Sequence, residues 1–363
     1  MKYIVLSILA IGLLGCSQLQ DAEQKTETPT NIIFLIGDGM GLSAVSTGIY
    51  YGDGPSQFYR FKNIGLQRTS SATHKVTDSA ASGTALASGT KTYNGAIGVD
   101  TTHTPHQNIV EFVSTLGWST GVAATSTISH ATPASFYAHV EQRKMEEAIC
   151  AQLLDSEIDF FAGGGSSHFT DREDGINLLD LAPEKGFIVD TAMVLPSETL
   201  DPTKKYGFLP EKKAMPSILN GRGNFLPAAT SAAIGHLSGN SKGFFLMVEG
   251  SQIDWAGHAN NVDFLITEQL DFEEAVKVAL DFAEKDGNTL VVVSADHETG
   301  GYALSANKTE EGKNDYKEIG PRFATSTHSA TLIPVFAYGP GAEQFAGIYE
   351  NTDIFEKMKA LAN

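Results

Sequence analysis

The sequence is poor in cysteine and in positive charge, and each shortage excludes a class of protein. Its 363 residues contain two cysteines, Cys16 and Cys150. Cys150 stands on the apolar face of an amphipathic segment, where a buried structural role is expected and a catalytic thiol is not. Lysine and arginine number 25 against 43 aspartates and glutamates, for a net charge of −18. No basic surface is therefore available to hold a nucleic-acid backbone.

The sequence also lacks an apolar run long enough for an ordinary membrane-spanning helix. A short one follows Met1 and Lys2, from residue 3 to 14, and it predicts a secretory signal peptide over residues 1–15. Leu-Leu-Gly-Cys at its end resembles a bacterial lipobox, so we expect Cys16 to be lipidated and to become the first mature residue. A plain signal peptide cut elsewhere and an uncleaved anchor are the alternatives. The prediction is an exported protein, lipid-anchored in the cell envelope, facing either the periplasm or the outside.

Composition changes after the leader. Residues 16–30 are polar and contain Pro29, which indicates a flexible tether. Residues 31–363 have the apolar content of a folded domain, since 42% of the whole chain is hydrophobic and 19% is charged. We expect one catalytic domain over that range.

Apolar strands alternate with helical segments along this domain, which predicts an α/β fold. The strands expected at residues 31–36, 244–248, 289–294 and 333–338 are apolar on both faces, as in buried parallel sheets. Helices are expected between them, including residues 42–50, 108–116, 141–154, 263–285 and 349–361. A mostly parallel sheet with helices on both sides follows. Residues 166–221 contain five prolines, and we interpret them as a surface excursion.

Asp78 and Ser79 precede an alanine-rich segment that ends at Gly89. The pattern predicts a helix over residues 80–87 with Asp78 or Ser79 at its N-cap. Free backbone N–H groups and the helix dipole at such a position favour an anion. Alone, however, the pair is explained by capping.

Side chains that can bind metals recur where predicted strands end. Carboxylates and imidazoles suit zinc, and oxygen ligands suit magnesium. Because the carboxyl ends of parallel strands meet at one edge of a sheet, we expect a single site there. The candidates are Asp38, Glu249, Asp254, His258, Asp296, His297 and His328.

These residues lie in motifs that together resemble bacterial alkaline phosphatases of the alkaline phosphatase superfamily. The motifs occur in the family's order between residue 31 and about residue 340, although residues 166–221 carry none. They are Gly-Asp38-Gly-Met-Gly, Thr-Asp78-Ser79-Ala-Ala-Ser, Lys-Thr-Tyr-Asn-Gly-Ala-Ile-Gly-Val, His130-Ala-Thr132-Pro-Ala, Arg143-Lys, the run from Glu249 to His258, Ala-Asp296-His297 and Thr-His328-Ser. The resemblance implies a three-layer α/β/α sandwich, often a homodimer, that hydrolyses small phosphate monoesters through a phosphoserine at alkaline pH.

The resemblance also implies two zinc ions and one magnesium ion. One zinc would be bound by Asp254, His258 and His328. The second would be bound by Asp38, Asp296 and His297, with Ser79 as a further ligand and nucleophile. Magnesium would be bound by Asp38, Thr132 and Glu249. Arg143 would grip two phosphate oxygens, which its planar fork matches.

Two positions depart from the pattern of some well-known members, which have Asp in place of His130 and Lys in place of Trp255. The His and Trp pair resembles the variant of certain marine and cold-adapted bacterial enzymes. We expect His130 beside the third metal, where loss of a carboxylate would weaken magnesium or let zinc compete. Trp255 lacks the charge to contact phosphate as a cation, so product release would differ.

Three other functions fit the sequence less well. Sulfatases of the superfamily need a modified Cys or Ser in a context with Pro and Arg, which Ser79-Ala-Ala-Ser lacks. Phosphodiesterase relatives commonly use Thr and lack the magnesium ligands. A phosphate-binding protein on an inactive enzyme fold would usually miss one member of the site.

Overall fold

The structure is a computed structural model, and it describes residues 28–192 and 200–362. The predicted signal peptide and the lipidation site at Cys16 lie outside these ranges. Among the helices described, none combines the length and the apolar character needed to cross a bilayer.

A ten-stranded sheet forms the centre of the described part, in the order β14-β2-β13-β8-β1-β7-β3-β4-β6-β5. Its strands are β1 Asn31–Gly37, β2 Asn63–Arg68, β3 Ser119–Thr127, β4 Phe160–Gly164, β5 Phe187–Asp190, β6 Lys205–Phe208, β7 Phe244–Gly250, β8 Thr289–Ser294, β13 Ile333–Tyr338 and β14 Gly347–Glu350. β13 runs antiparallel to both of its neighbours, and the other pairings are parallel. Two small ladders lie outside the sheet: β9 Glu298–Thr299 with β12 His328–Ser329, and β10 Ala303–Lys308 with β11 Asn314–Arg322.

Helices cover both faces of the sheet. They are α1 Leu42–Tyr51, α2 Ser79–Ser88, α3 Ile109–Thr115, α4 Ala131–Ala134, α5 Glu146–Asp155, α6 Ser167–Thr170, α7 Leu178–Leu181, α8 Phe225–Leu237, α9 Gln252–His258, α10 Val262–Asp286 and α11 Thr352–Leu361. Alternate side chains of β1 enter opposite cores: Phe34 packs with α2, α3 and α11, whereas Leu35 packs with α1, α8 and α10. This alternation produces three layers and confirms the predicted α/β/α sandwich with a mostly parallel sheet.

The interpretation of residues 166–221 as a surface excursion was wrong. β5 and β6 lie in this segment and continue the main sheet beyond β4. Phe187 of β5 is buried, and its ring centroid lies 5.4 Å from that of Phe161 in β4. β5 and β6 have four residues each, so neither is long enough to show a clear alternating pattern. The prolines between them are typical of a loop.

Two predicted helix starts were also wrong. The helix expected from residue 141 begins at Glu146, because the backbone N–H of Arg143 donates to Gly95 instead of continuing a helix. The helix expected from residue 349 begins at Thr352, because Tyr349 belongs to β14. The helix at α2 and the strands β8 and β13 form as predicted.

The fold brings the candidate residues to one edge of the sheet. Asp38 directly follows β1, Glu249 is the last residue but one of β7, and Asp296 lies two residues beyond β8. β7 and β8 flank β1 on its two sides, so these three carboxylates converge.

Candidate active site

Ser79 is the first residue of α2 and is buried at its N-terminus. Asp78 caps the helix: its Oδ1 accepts from the backbone N–H of Ala81 at 3.0 Å and of Gly95 at 3.1 Å. Ser79 Oγ lies 3.4 Å from Nε2 of His297. The predicted cap is therefore Asp78, and it leaves the Ser79 hydroxyl free to face the carboxyl edge of the sheet.

A first group of side chains that could hold a metal ion consists of Asp254, His258 and His328. The two Nε2 atoms lie 3.1 Å apart, and each is within 3.5 Å of Asp254 Oδ1. His258 Nδ1 lies 2.8 Å from the Ser326 carbonyl, and His328 Nδ1 lies 2.8 Å from the Thr77 carbonyl. Because a carbonyl only accepts, both Nδ1 atoms carry the proton and both Nε2 atoms present lone pairs to the same point.

A second group consists of Asp38, Asp296 and His297, all fully buried. His297 Nε2 lies 3.2 Å from Asp296 Oδ2 and 3.5 Å from Asp38 Oδ1. Asp296 Oδ1 accepts from the backbone N–H of Gly39 and of His297. Its other oxygen has no hydrogen-bond partner, and neither oxygen of Asp38 has one.

A third group consists of Asp38, His130 and Glu249, whose donor atoms lie within 4.8 Å of one another. Glu249 Oε2 accepts from the Ser251 hydroxyl at 2.5 Å, while its Oε1 is buried without a partner. The buried hydroxyl of Thr132 approaches Glu249 without a hydrogen bond of ordinary geometry. The structure therefore places His130 beside the two carboxylates of the third group, together with the Thr132 that the resemblance implies.

Burial shifts the pKa values of these side chains in the direction that favours their uncharged forms. Burial, and next the charge of Asp296, raises the pKa of Asp38 well above its ordinary value. Burial raises the pKa of Glu249 to about 7. Burial, together with His328, lowers the pKa of His297 to about 3, so its imidazole is neutral. Buried carboxylates with unpartnered oxygens facing neutral imidazoles must be neutralised, and a cation bound between them would do so without protonating them.

The donor chemistry fits the implied metals. The first two groups mix imidazole nitrogen and carboxylate oxygen, which suits zinc. The third offers two carboxylates and a hydroxyl, which suit magnesium. The neutral His130 ring beside them has one lone pair, which would suit zinc only when it does not accept from Arg143.

Arg143 lies between helix α2 and the third group. One terminal nitrogen donates to Asp78 Oδ2 at 3.2 Å, and the other donates to His130 Nε2 at 3.1 Å. Asp78 thus caps α2 with one oxygen and orients Arg143 with the other. The half-buried Trp255 completes this side of the site, with its ring 6.2 Å from that of His130 and nearly perpendicular to it.

Sequence reasoning missed several residues that hold this site in place. The Ser82 hydroxyl donates to the Asp296 carbonyl at 2.7 Å, which ties α2 to the end of β8. The Gln67 amide donates to the Ala295 carbonyl at 2.6 Å. Thr299 contacts both Asp254 and His297. Hydroxyl and amide side chains of this kind have no distinctive pattern in sequence, although Thr299 stands only two residues from His297.

The site combines a buried serine at a helix N-terminus, three groups of side chains that could bind metals, and an arginine fixed by two hydrogen bonds. This combination is typical of metal-dependent hydrolases that transfer phosphoryl groups.

Comparison with known proteins identifies the family. The family model described as alkaline phosphatase matches residues 29–319 and 306–363. Alkaline phosphatase 4 of Bacillus subtilis is 34% identical over an alignment 441 positions long, which covers 97% of this chain and 95% of the relative. The alkaline phosphatase of Escherichia coli is 33% identical over 401 residues, with 91% and 85% covered.

Solved structures of alkaline phosphatases are also similar to this chain. The alkaline phosphatase of the Antarctic bacterium TAB5 is similar with a TM-score of 0.90 and 51% identity, covering 92% of this chain and 98% of that one. A variant of it, in which a histidine is replaced by aspartate and Mg is bound in the M3 site, has the same TM-score of 0.90 and covers 93% and 99%. The chain belongs to the alkaline phosphatase family, and it is a metal-dependent phosphomonoester hydrolase with alkaline phosphatase activity.

Removal of divalent ions with a chelator should destabilise the protein, because the buried carboxylates of the second and third groups would then repel one another. We expect Tm to fall by about 5 °C or more, since ligand binding to the folded state adds a few kcal/mol. Asp38→Asn, which removes the carboxylate shared by the two groups, should make the metal-free protein more stable than metal-free wild type. Differential scanning calorimetry with and without chelator measures both effects.

Asp53→Asn is the control for this experiment, because it removes one carboxylate from the exposed surface. It should leave the effect of the chelator unchanged. Equal responses of the Asp38 and Asp53 variants would contradict the argument from buried charge.

Proposed function

We propose that Ser79 is the nucleophile of the reaction and that hydrolysis proceeds through a phosphoserine. The observation that carries the assignment is the position of Ser79 Oγ, at the N-terminus of α2 and 3.4 Å from His297 Nε2 of the second metal group. In the first step a bond forms between Ser79 Oγ and phosphorus, while the bond to the ester oxygen breaks and the alcohol leaves. In the second step water adds to phosphorus, the bond to Ser79 breaks, and inorganic phosphate is released.

The three groups of side chains would each hold one metal ion. One zinc would be held by Asp254, His258 and His328, and a second by Asp38, Asp296 and His297. One magnesium would be held by Asp38, Thr132 and Glu249, with His130 beside it. When bound, these ions supply charge that draws in the phosphate and stabilises the oxygens whose bonds to phosphorus form and break. The proposal of two zinc ions and one magnesium ion rests on the donor chemistry of each group.

Arg143 would bind two phosphate oxygens, with Asp78 and His130 fixing its guanidinium plane. The side chain is about a quarter exposed, so it is accessible from the site, yet both contacts restrict its rotation. The dipole of α2 adds favourable charge for the phosphate at the same point. Trp255 is uncharged and would not retain the product as a cation would, so it would alter product release.

Ser79→Ala should lower hydrolysis of nitrophenyl phosphate by about three orders of magnitude or more, because no other hydroxyl would occupy the position of attack. Nitrophenol release at alkaline pH measures the effect. The phosphate diester and the sulfate ester should be much poorer substrates of the wild-type protein. Chelator should suppress the monoester activity.

Ser88→Ala, at the opposite end of the same helix, is the matched control, since Ser88 Oγ donates only to Thr84 within α2. It should retain activity. Substantial activity in Ser79→Ala would exclude Ser79 as nucleophile, and highest activity below neutrality with metals bound would exclude the proposed alkaline chemistry.

His130→Asp should increase the affinity for magnesium, because a carboxylate would join Asp38 and Glu249 where an imidazole now stands. The magnesium-bound histidine-to-aspartate variant of the TAB5 enzyme supports this expectation. Titration of the chelated protein with magnesium, followed by activity and by calorimetry, measures the change. His74→Asp makes the same substitution on the exposed surface and should have no effect; unchanged magnesium dependence in His130→Asp would count against the third site.

We further propose that residues 1–15 are a signal peptide, that residues 16–30 tether a catalytic domain of residues 31–363, and that this domain forms a homodimer. A lipid on Cys16 would hold the protein to the envelope membrane. Cys16→Ser should then move the protein from the detergent phase to the aqueous phase of a Triton X-114 partition. If wild type already partitions into the aqueous phase, the protein is not lipid-anchored.

A further inference from the structure

Thr299 touches both of the groups assigned to zinc. Its Oγ1 lies 2.5 Å from Asp254 Oδ1, in the first group, and 3.2 Å from His297 Nδ1, in the second. The side chain is buried, with 2% of its surface exposed. In the β9–β12 ladder Thr299 also pairs with His328, which belongs to the first group. The ring of His328 stacks on that of His297, with the centroids 3.5 Å apart.

The chemistry of the three side chains fixes the direction of both hydrogen bonds. A hydroxyl has one proton to donate, and a carboxylate at this distance can only accept it. Thr299 therefore donates to Asp254 and must accept from His297. The proton of His297 then resides on Nδ1, and its Nε2 presents a lone pair to Asp38, Asp296 and Ser79.

The surrounding backbone leaves the Thr299 hydroxyl little freedom to move. A Cβ built on Gly39 would lie 2.8 Å from Thr299 Oγ1, and one on Gly257 would lie 3.0 Å from Thr299 Cβ. The backbone N–H of Thr299 donates to the Gly39 carbonyl at 3.1 Å. Both glycines thus provide the space in which Thr299 sits between the loop after β1 and helix α9.

We propose that Thr299 is a positioning residue that couples the two zinc groups. Through one hydroxyl it holds the Asp254 carboxylate towards His258 and His328 and selects the tautomer of His297 that can bind a metal. Partners of this kind commonly change metal affinity by about 10 to 100-fold. The inference rests on the zinc ligands of the proposed function.

Loss of the hydroxyl should weaken binding at both groups at once. Thr299→Ala removes the hydroxyl and the methyl group, whereas Thr299→Ser removes the methyl group alone, so the comparison isolates the hydroxyl. We expect Thr299→Ala to bind both zinc equivalents about tenfold or more weakly than wild type. Thr299→Ser should lie close to wild type.

The experiment is a zinc titration of chelated full-length protein, in magnesium-containing buffer, against a chromophoric competing chelator. It yields two zinc dissociation constants and needs no measurement of activity. Thr47→Ala is the matched control, because Thr47 is also fully buried and its hydroxyl has two partners, Ser43 and Tyr302, away from the metal groups. It should bind zinc as wild type does. If Thr299→Ala does not fold, Thr299→Val replaces it.

The outcomes separate this inference from the proposed function. If wild type binds no zinc tightly, the proposed ligand groups fail. If wild type binds two equivalents and Thr299→Ala binds both equally well, or loses affinity for only one, the coupling by Thr299 is overturned. A loss of similar size in Thr299→Ser would assign the effect to the methyl group and would also overturn it.

Discussion

The constraint on which the site depends is the crowding of buried carboxylates at one edge of the sheet. β1 is flanked by β7 and β8, and each strand delivers one acid, Asp38, Glu249 and Asp296, to nearly the same place. Four of their oxygens have no hydrogen-bond partner. In a protein interior this arrangement would cost several kcal/mol for each unpaired charge, so the carboxylates stay ionised only where cations are bound. The fold therefore supplies negative charge, and the metals convert an acidic pocket into one that accepts a phosphate dianion.

The surrounding shell holds these ligands by neutral hydrogen bonds and adds little charge. Carbonyl groups accept from the Nδ1 atoms of His258 and His328, and hydroxyls hold Glu249 and the loop after β8. Each contact fixes one ligand atom and leaves another facing the metal. Asp78 is the charged exception, and it serves two elements at once, the N-terminus of α2 and Arg143. The proposed nucleophile, Ser79, and the proposed phosphate-binding residue, Arg143, are in this way oriented by the same carboxylate.

Much of this arrangement could be predicted from the sequence, because it depends on features that have a local pattern. Fully apolar segments identify β8 and β13, and the aspartate before an alanine-rich segment identifies the start of α2. β5 and β6 could not be found, since four residues do not establish a period and their pairing with β4 is a tertiary contact. The position of His130 beside Asp38 and Glu249 was expected from the family resemblance alone, because it arises from the turn that follows β3 and has no local pattern. Thr299 was missed for a similar reason: a threonine becomes informative only when the atoms on both sides of it are known.

His130 shows how the third group and the phosphate-binding arginine are linked. Its Nε2 accepts a hydrogen bond from Arg143, and burial, together with the charge of Arg143, lowers its pKa to about 4, so the ring is neutral. A neutral acceptor holds the guanidinium with one hydrogen bond and adds no negative charge to that of Asp78, which already lies against Arg143. A carboxylate at the same position would form an ion pair with Arg143 as well as a ligand for a metal, and it would neutralise more of the positive charge of the guanidinium. We therefore expect the residue at position 130 to affect two properties together, the preference of the third group among metals and the strength with which Arg143 would bind phosphate.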